Sequence, residues 1–286
     1  MAGRLQDKII AVTGAASGIG LSSVELLVAE GAHVLAADIQ DDKGKALEAR
    51  FGGKVAYAHC DVTKEADIAA AFDLAISRFG GLDGLFNNAG AGGAMGGIAD
   101  TDHKSWSMTL DLLLTSVFLG TKHALPHLIA RGGGSIVNTA SIAGLEAGWG
   151  PVAYSTAKAG VIHFSKVAAA ELCAHKIRVN AICPGLIATS IFGASIGLPR
   201  AQADQMAAQL AERGAHVQPV GRAGSGNDIA EALVWLLSDA GGFVTGTHIV
   251  VDGGITIGPR HSWDPTTPSP IAEIMGLDAS PIGAKA

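Results

Sequence analysis

Short apolar runs alternate with longer stretches whose apolar residues recur every three or four positions, and the alternation holds for most of the chain. Residues 8–13, 33–39, 54–60, 82–87, 135–139, 176–183 and 247–251 are β-branched and apolar on both faces, a pattern that predicts strands covered on two sides. Between them, residues 21–30, 42–51, 63–79, 103–130, 152–175, 201–213 and 225–238 carry helical spacing. Glycines at 31, 52, 53, 80 and 81 end three of these helices. Thr63 is expected to cap one helix, with Glu65 and Asp67 in its first turn. Ser225 with Asp228 three residues on predicts a capping box.

Seven strands alternating with helices define an α/β chain. The fold class that follows is a single-domain, doubly wound parallel sheet of the Rossmann type, with about seven strands and helices on both faces. The domain is expected to span residues 1–255. Residues 256–286 hold five of the ten prolines and are expected to form a C-terminal arm. Trp263, Ile271, Ile274, Met275 and Leu277 make that arm apolar enough to dock.

Composition narrows the partners. The 286 residues are 48% apolar and carry a net charge of −6, with no basic run, which speaks against nucleic acid. Cys60, Cys173 and Cys183 are odd in number and widely spaced, as in a reduced, cytoplasmic protein. Residues 1–7 lack an apolar leader. The apolar stretch at 110–119 contains Asp111, Thr115 and Ser116 and is expected to be too short and polar for a membrane span. His123 and His127 lie four apart, but no third ligand is near and Pro126 disturbs the turn, so no metal is expected.

The candidate chemistry begins at Thr13-Gly14-Ala15-Ala16-Ser17-Gly18-Ile19-Gly20, between the first strand and the first helix. Glycines there let the backbone approach a pyrophosphate, and a helix N-terminus presents free amides to it. Asp38 closes the second strand, where a carboxylate can accept from ribose hydroxyls and repels a 2′-phosphate. With uncharged Ser17 and Gln40 nearby, this predicts NAD rather than NADP. Tyr154 and Lys158 are one helical turn apart. An ammonium at that distance is expected to lower the phenol's pKa and fit it for proton transfer with an alcohol oxygen. Ser141, ending the strand at 135–139, adds a hydroxyl.

Together these residues resemble the short-chain dehydrogenase/reductase family. The glycine spacing and the thirteen-residue step from Ser141 to Tyr154 match its pattern, and the resemblance covers nearly the whole domain. It implies that Ser141 holds the substrate oxygen, Tyr154 exchanges the proton, and Lys158 tunes the tyrosine and binds the nicotinamide ribose. It also implies cofactor contacts from Ile39, Asp61 and Val62, from Asn88, Ala89 and Gly90, and from Pro184, Gly185, Ile187 and Thr189. Asn87 reads as a structural amide, and Asp252-Gly253-Gly254 closes the resemblance. One position departs. The family's helix asparagine, which holds a lysine-linked water, aligns with Leu113. Asp111, Thr115 or Ser116 could supply the missing polarity, water alone could serve, or the chain could be a non-catalytic dinucleotide sensor.

The residues flanking the catalytic set predict a substrate pocket from Ala91, Met95, Ile142, Leu145, Trp149, Leu186, Ile191 and Phe192, with Glu146 the nearest charge. This apolar set points to a neutral hydrophobic secondary alcohol or ketone, cyclic, aromatic, steroid- or terpenoid-like. A cis-dihydrodiol dehydrogenase and an acyl-carrier-protein reductase are the alternatives, the second lacking a basic docking patch. Residues 193–197 are expected to form a flexible lid. Apolar residues on several faces of the helices at 103–130 and 152–175, with the family's habit, imply a homodimer or homotetramer.

Overall fold

The computed structural model describes residues 3–264 and 266–276. Seven strands form one sheet: β1 (Ile9–Thr13), β2 (His33–Asp38), β3 (Val55–His59), β4 (Gly84–Asn87), β5 (Gly134–Thr139), β6 (Ile177–Pro184) and β7 (His248–Val251). Their spatial order is β3-β2-β1-β4-β5-β6-β7, and every pair is parallel. The order reverses between β1 and β4, so a crevice opens there at the carboxyl ends of the strands.

Alternate side chains of each strand feed two cores. Ile9, Ala11, Leu35, Leu85 and Ile136 face α3 (Glu65–Phe79), α5 (Ser116–Ala130) and α6 (Val152–Leu172). Ile10, Val12, Val34, Phe86 and Val137 face α1 (Gly18–Ala29) and α9 (Gly226–Leu237). Between these lie α2 (Asp41–Phe51) and α4 (His103–Leu110). The short α7 (Ile191–Ser195) and α8 (Arg200–Arg213) follow β6, and α10 (Pro270–Met275) lies in the arm.

The capping box of α9 forms as the sequence predicts. Thr63 does not cap α3. Its hydroxyl donates to Asp61 Oδ1 at 2.7 Å, and Lys64 becomes the N-cap. The helix begins at Glu65, which leaves Thr63 one position ahead of the cap. From 103 to 130 the chain is one continuous helix with a π-helical turn at Asp111–Thr115. It is long and apolar enough to cross a membrane, more so than the sequence pattern implied, yet it packs between α3, α6 and β4 with Leu113, Val117, Ala124 and Leu128 buried. The segment expected to act as a lid, residues 193–197, is partly helical. Residues 191–195 are helical, Gly193 is buried against Ala203 of α8, and Gly197 beyond the helix adopts φ +77° with open space around it.

The start of the arm is tied down. Asp252 accepts from the amide and hydroxyl of Thr256, and Asp264 collects Arg260 Nε at 2.7 Å and the amide and hydroxyl of Thr266. Ile271, Ile274 and Met275 remain exposed. Leu277 lies outside the described residues.

Candidate active site

The glycine turn is built by close approach. Gly14 adopts φ +64°, and a Cβ there would lie 2.8 Å from Ala89 Cα, so no larger residue fits between β1 and the end of β4. Asn88 locks the two turns together. Its side-chain Nδ2 donates to the carbonyls of Thr13 and Gly14, and its Oδ1 accepts from Thr139. Thr13 Oγ1 accepts in turn from the amides of Asn88 and Ala89. Ser17 is the N-cap of α1 but its side chain makes no capping bond. The first-turn amides at Gly18, Ile19 and Gly20 are thus uncapped by Ser17 and suited to an anionic ligand.

Asp38 is buried beside this turn. One carboxylate oxygen accepts from Ala16 N at 2.8 Å, and the other from the amide and side chain of Gln40. Ile39, next in sequence, is 62% exposed at the crevice edge, while the Val62 side chain is buried. Asp61 holds Thr63 and Lys64. Pro184, the last residue of β6, is buried, and Gly185 lies against Asp252, whose Cα would stand 2.6 Å from a Cβ on the glycine. The Ile187 side chain is in the core, so only its backbone is available to a ligand. Thr189 reaches across to Gly18, with Cγ2 3.3 Å from where a Cβ would stand. The two ends of the predicted cofactor site therefore meet over the crevice. The turn, its free amides and the flanking carboxylate fit a dinucleotide.

Ser141, Tyr154 and Lys158 come together at the end of β5. Ser141 closes the strand in an extended conformation, and its Oγ accepts from Ala143 N at 3.1 Å. Lys158 is 4% exposed; its ammonium donates to Thr139 O at 2.7 Å and lies 5.7 Å from the Tyr154 ring centroid. Burial pushes the Lys158 pKa down to about 8. The tyrosine corrects an expectation. Burial pushes the phenol pKa up, and the hydrogen bond with the Ser141 hydroxyl counteracts only part of that. Beneath the group, burial pushes the Cys183 thiol up to about 12, leaving it inert.

Leu113 is buried to 1% exposure in the π turn. A Cβ on Gly90 would lie 3.0 Å from its Cδ2, so Leu113 packs beneath the Asn88–Gly90 segment. The three polar neighbours do not stand in for it. Thr115 donates to exposed Asp111 at 3.3 Å, and Ser116 donates to Leu112 O at 2.6 Å. Asn87 is structural, as predicted from its place: its Nδ2 donates to Asn138 Oδ1 at 2.9 Å, and Asn138 donates to Ser165 of α6. That buried chain of amides fixes β4, β5 and α6 together; neighbouring polar residues in the sequence gave no hint of its partners. His123 Nε2 pairs with Glu65 at 2.8 Å, beside Lys122 on the same carboxylate.

Of the eight predicted substrate residues, Trp149 lines the cleft described below and the other seven do not. Ile142 is buried in the turn after Ser141, whereas Leu145, Trp149, Met95 and Phe192 are exposed. Loop 91–95 approaches α7, with Gly92 against Ser195, two residues before which lies Gly193 and four before which lies Ile191. Leu186 is held by Gln218 through its carbonyl. A cleft of about 500 Å³ lies between residues 146–149 and residues 255–259, so the base of the arm forms one wall.

A two-sided parallel sheet, a free helix N-terminus at its switch point and a serine, tyrosine and lysine at the crevice define a dinucleotide-dependent oxidoreductase. Residues 14–256 match the family model described as enoyl-(acyl carrier protein) reductase. The chain is 42% identical over 253 residues to 2,5-dichloro-2,5-cyclohexadiene-1,4-diol dehydrogenase of Sphingobium indicum, covering 88% of this chain and 98% of that one. It is 38% identical over 255 residues to the mitochondrial borneol dehydrogenase of Lavandula x intermedia, covering 89% and 92%. A solved structure described as a short-chain dehydrogenase/reductase from Burkholderia xenovorans superposes with TM-score 0.78 at 38% identity, covering 90% of this chain and all of that one. The chain belongs to the short-chain dehydrogenase/reductase family and is an oxidoreductase acting on CH–OH donors with a nicotinamide dinucleotide.

Proposed function

We propose that the protein transfers a hydride between NAD(H) and a neutral, hydrophobic, cyclic secondary alcohol or its ketone. The observation that carries this reading is the convergence of Ser141, Tyr154 and Lys158 at the end of β5, with the loop that leaves Ser141 running on into the wall of a cleft at residues 146–149. The nicotinamide ring, when bound, takes or returns the hydride. Ser141 holds the alcohol oxygen by its hydroxyl, and Tyr154 takes the hydroxyl proton during oxidation or returns it during reduction. Lys158 supplies positive charge at the ribose and the phenol. The names of the relatives, dehydrogenases of cyclic diols and of borneol, support the substrate class.

The choice of NAD rests on Asp38, a buried carboxylate beside the glycine turn that a 2′-phosphate would meet as a like charge. Two measurements test the reading. The kcat/KM of a cyclic alcohol with NAD is expected to exceed that with NADP; the reverse order removes the assignment. Tyr154→Phe is expected to lower kcat by at least about a hundredfold while NADH affinity holds. Turnover at the wild-type rate in that variant refutes the proton-transfer role.

We also infer a homo-oligomer, supported by Met108, Phe118 and Val167, apolar and at least half exposed or nearly so on α4, α5 and α6.

A further inference from the structure

None of Ser141, Tyr154 and Lys158 lines the cleft between residues 146–149 and the base of the arm, and its wall has one charged residue, Glu146. Its position follows from the loop that carries it. That loop leaves Ser141 through a 3₁₀ turn, Ile142–Gly144, and Glu146 N donates to Ile142 O at 3.0 Å. At its far end the loop returns onto the catalytic tyrosine, where a Cβ on Gly150 would lie 3.0 Å from Tyr154 Cδ1. Glu146 is therefore tethered between the serine and the tyrosine, about ten ångströms of backbone from Ser141 at a 3₁₀ rise.

The carboxylate is unneutralised in this wall. The cleft lining contains no cation, and Glu146 forms no salt bridge among the described residues. Arg260, just beyond Pro259, is held by Asp264 at 2.7 Å. Trp149 Nε1 donates to Glu146 Oε2 at a long 3.4 Å, which leaves most of the carboxylate's acceptor capacity for a ligand. The one hydroxyl on the opposite wall, Thr256, already donates to Asp252 at 2.7 Å. The polar function of this wall is thus an anionic acceptor facing Trp149, Ile255 and Pro259, and it calls for a donor on an otherwise apolar ring.

We propose that Glu146 is a specificity-determining residue that accepts a hydrogen bond from a second hydroxyl of the substrate, so that the enzyme favours cyclic diols over mono-alcohols and rejects cyclic alcohols bearing a carboxylate. This rests on the cyclic-alcohol reading above and narrows it. A hydroxyl donating to a carboxylate makes a strong, short bond, whereas a carboxylate ligand brings like-charge repulsion into the same cleft.

The test compares a cyclohexanediol, cyclohexanol and a hydroxycyclohexanecarboxylate as substrates of the wild-type enzyme, Glu146→Gln and Glu146→Ala. Glu146→Gln is expected to cut the diol-to-mono-alcohol ratio of kcat/KM by about tenfold, chiefly through KM, and Glu146→Ala by at least as much. Both variants are expected to raise kcat/KM for the carboxylate relative to cyclohexanol. Glu146→Asp, which keeps the charge, is expected to retain rejection of the carboxylate. Ratios unchanged from wild type in both neutral variants overturn the proposal. Failure of the wild type to oxidise any of the three alcohols sinks the cyclic-alcohol reading instead, so the two outcomes are distinguishable. Residue 146 is exposed, and circular dichroism of each variant confirms that it folds.

Discussion

At the scale of single residues, the site is a place where folding stability is given up. Lys158 is buried with its ammonium on one backbone carbonyl, and its pKa falls from 10.5 to about 8. Below pH 8 both the folded and unfolded chains carry the proton, and the folded state bears the whole desolvation cost. Between about 8 and 10.5 the unfolded chain binds more protons than the folded one, so stability rises with pH across that window. Lys158→Met is expected to abolish that rise and to be more stable near pH 7 by roughly 2 kcal/mol, while losing turnover. Thermal unfolding of both proteins from neutral to alkaline pH checks this; parallel curves contradict it. The motif was legible because serine, tyrosine and lysine keep fixed separations along the chain. The protonation balance was not. It depends on how much water the folded site excludes, and the expectation of a lowered Tyr154 pKa failed for that reason.

At the scale of elements, the helix from 103 to 130 carries the departure from the family pattern. Its π turn places Leu113 under Gly90 and Leu114 against Gly160 of α6, where a Cβ would stand 2.8 Å from Leu114 Cδ2. The turn is thus packed by apolar side chains on two sides. Leu113→Asn is expected to cost about 1–3 kcal/mol, because it sets an amide into an apolar contact. Urea unfolding measures the cost. The pH dependence of kcat is expected to stay where it is, and a shift would mean that the asparagine restores a proton route. The length of this helix could be read from periodicity. The π turn could not, because one extra residue in a turn barely disturbs a period of 3.6.

At the scale of the whole molecule, the base of the arm faces the loop that leaves Ser141. Residues 255–259 form a wall of the cleft proposed to take the substrate, and Asp252 and Asp264 pin the segment on either side of it. A chain ending at Ile255 is expected to bind NADH normally but to show a raised KM for the alcohol. Fluorescence titration with NADH and steady-state kinetics separate the two, and an unchanged KM shows that the wall is dispensable. Light scattering of the same truncated chain reports whether the arm also serves assembly.

The order of apolar and polar residues determined the number of strands, their parallel direction and the place of the glycine turn. Each of these depends on a local period or on a turn that only glycine can make, and a local period survives in one dimension. The strand order, the amide chain from Asn87 through Asn138 to Ser165, the crossing of Thr189 over Gly18 and the cleft between the loop after Ser141 and the arm were decided by tertiary packing. These contacts join residues tens of positions apart, and their energies come from burial and from satisfying buried polar groups. Neither leaves a repeat in the sequence.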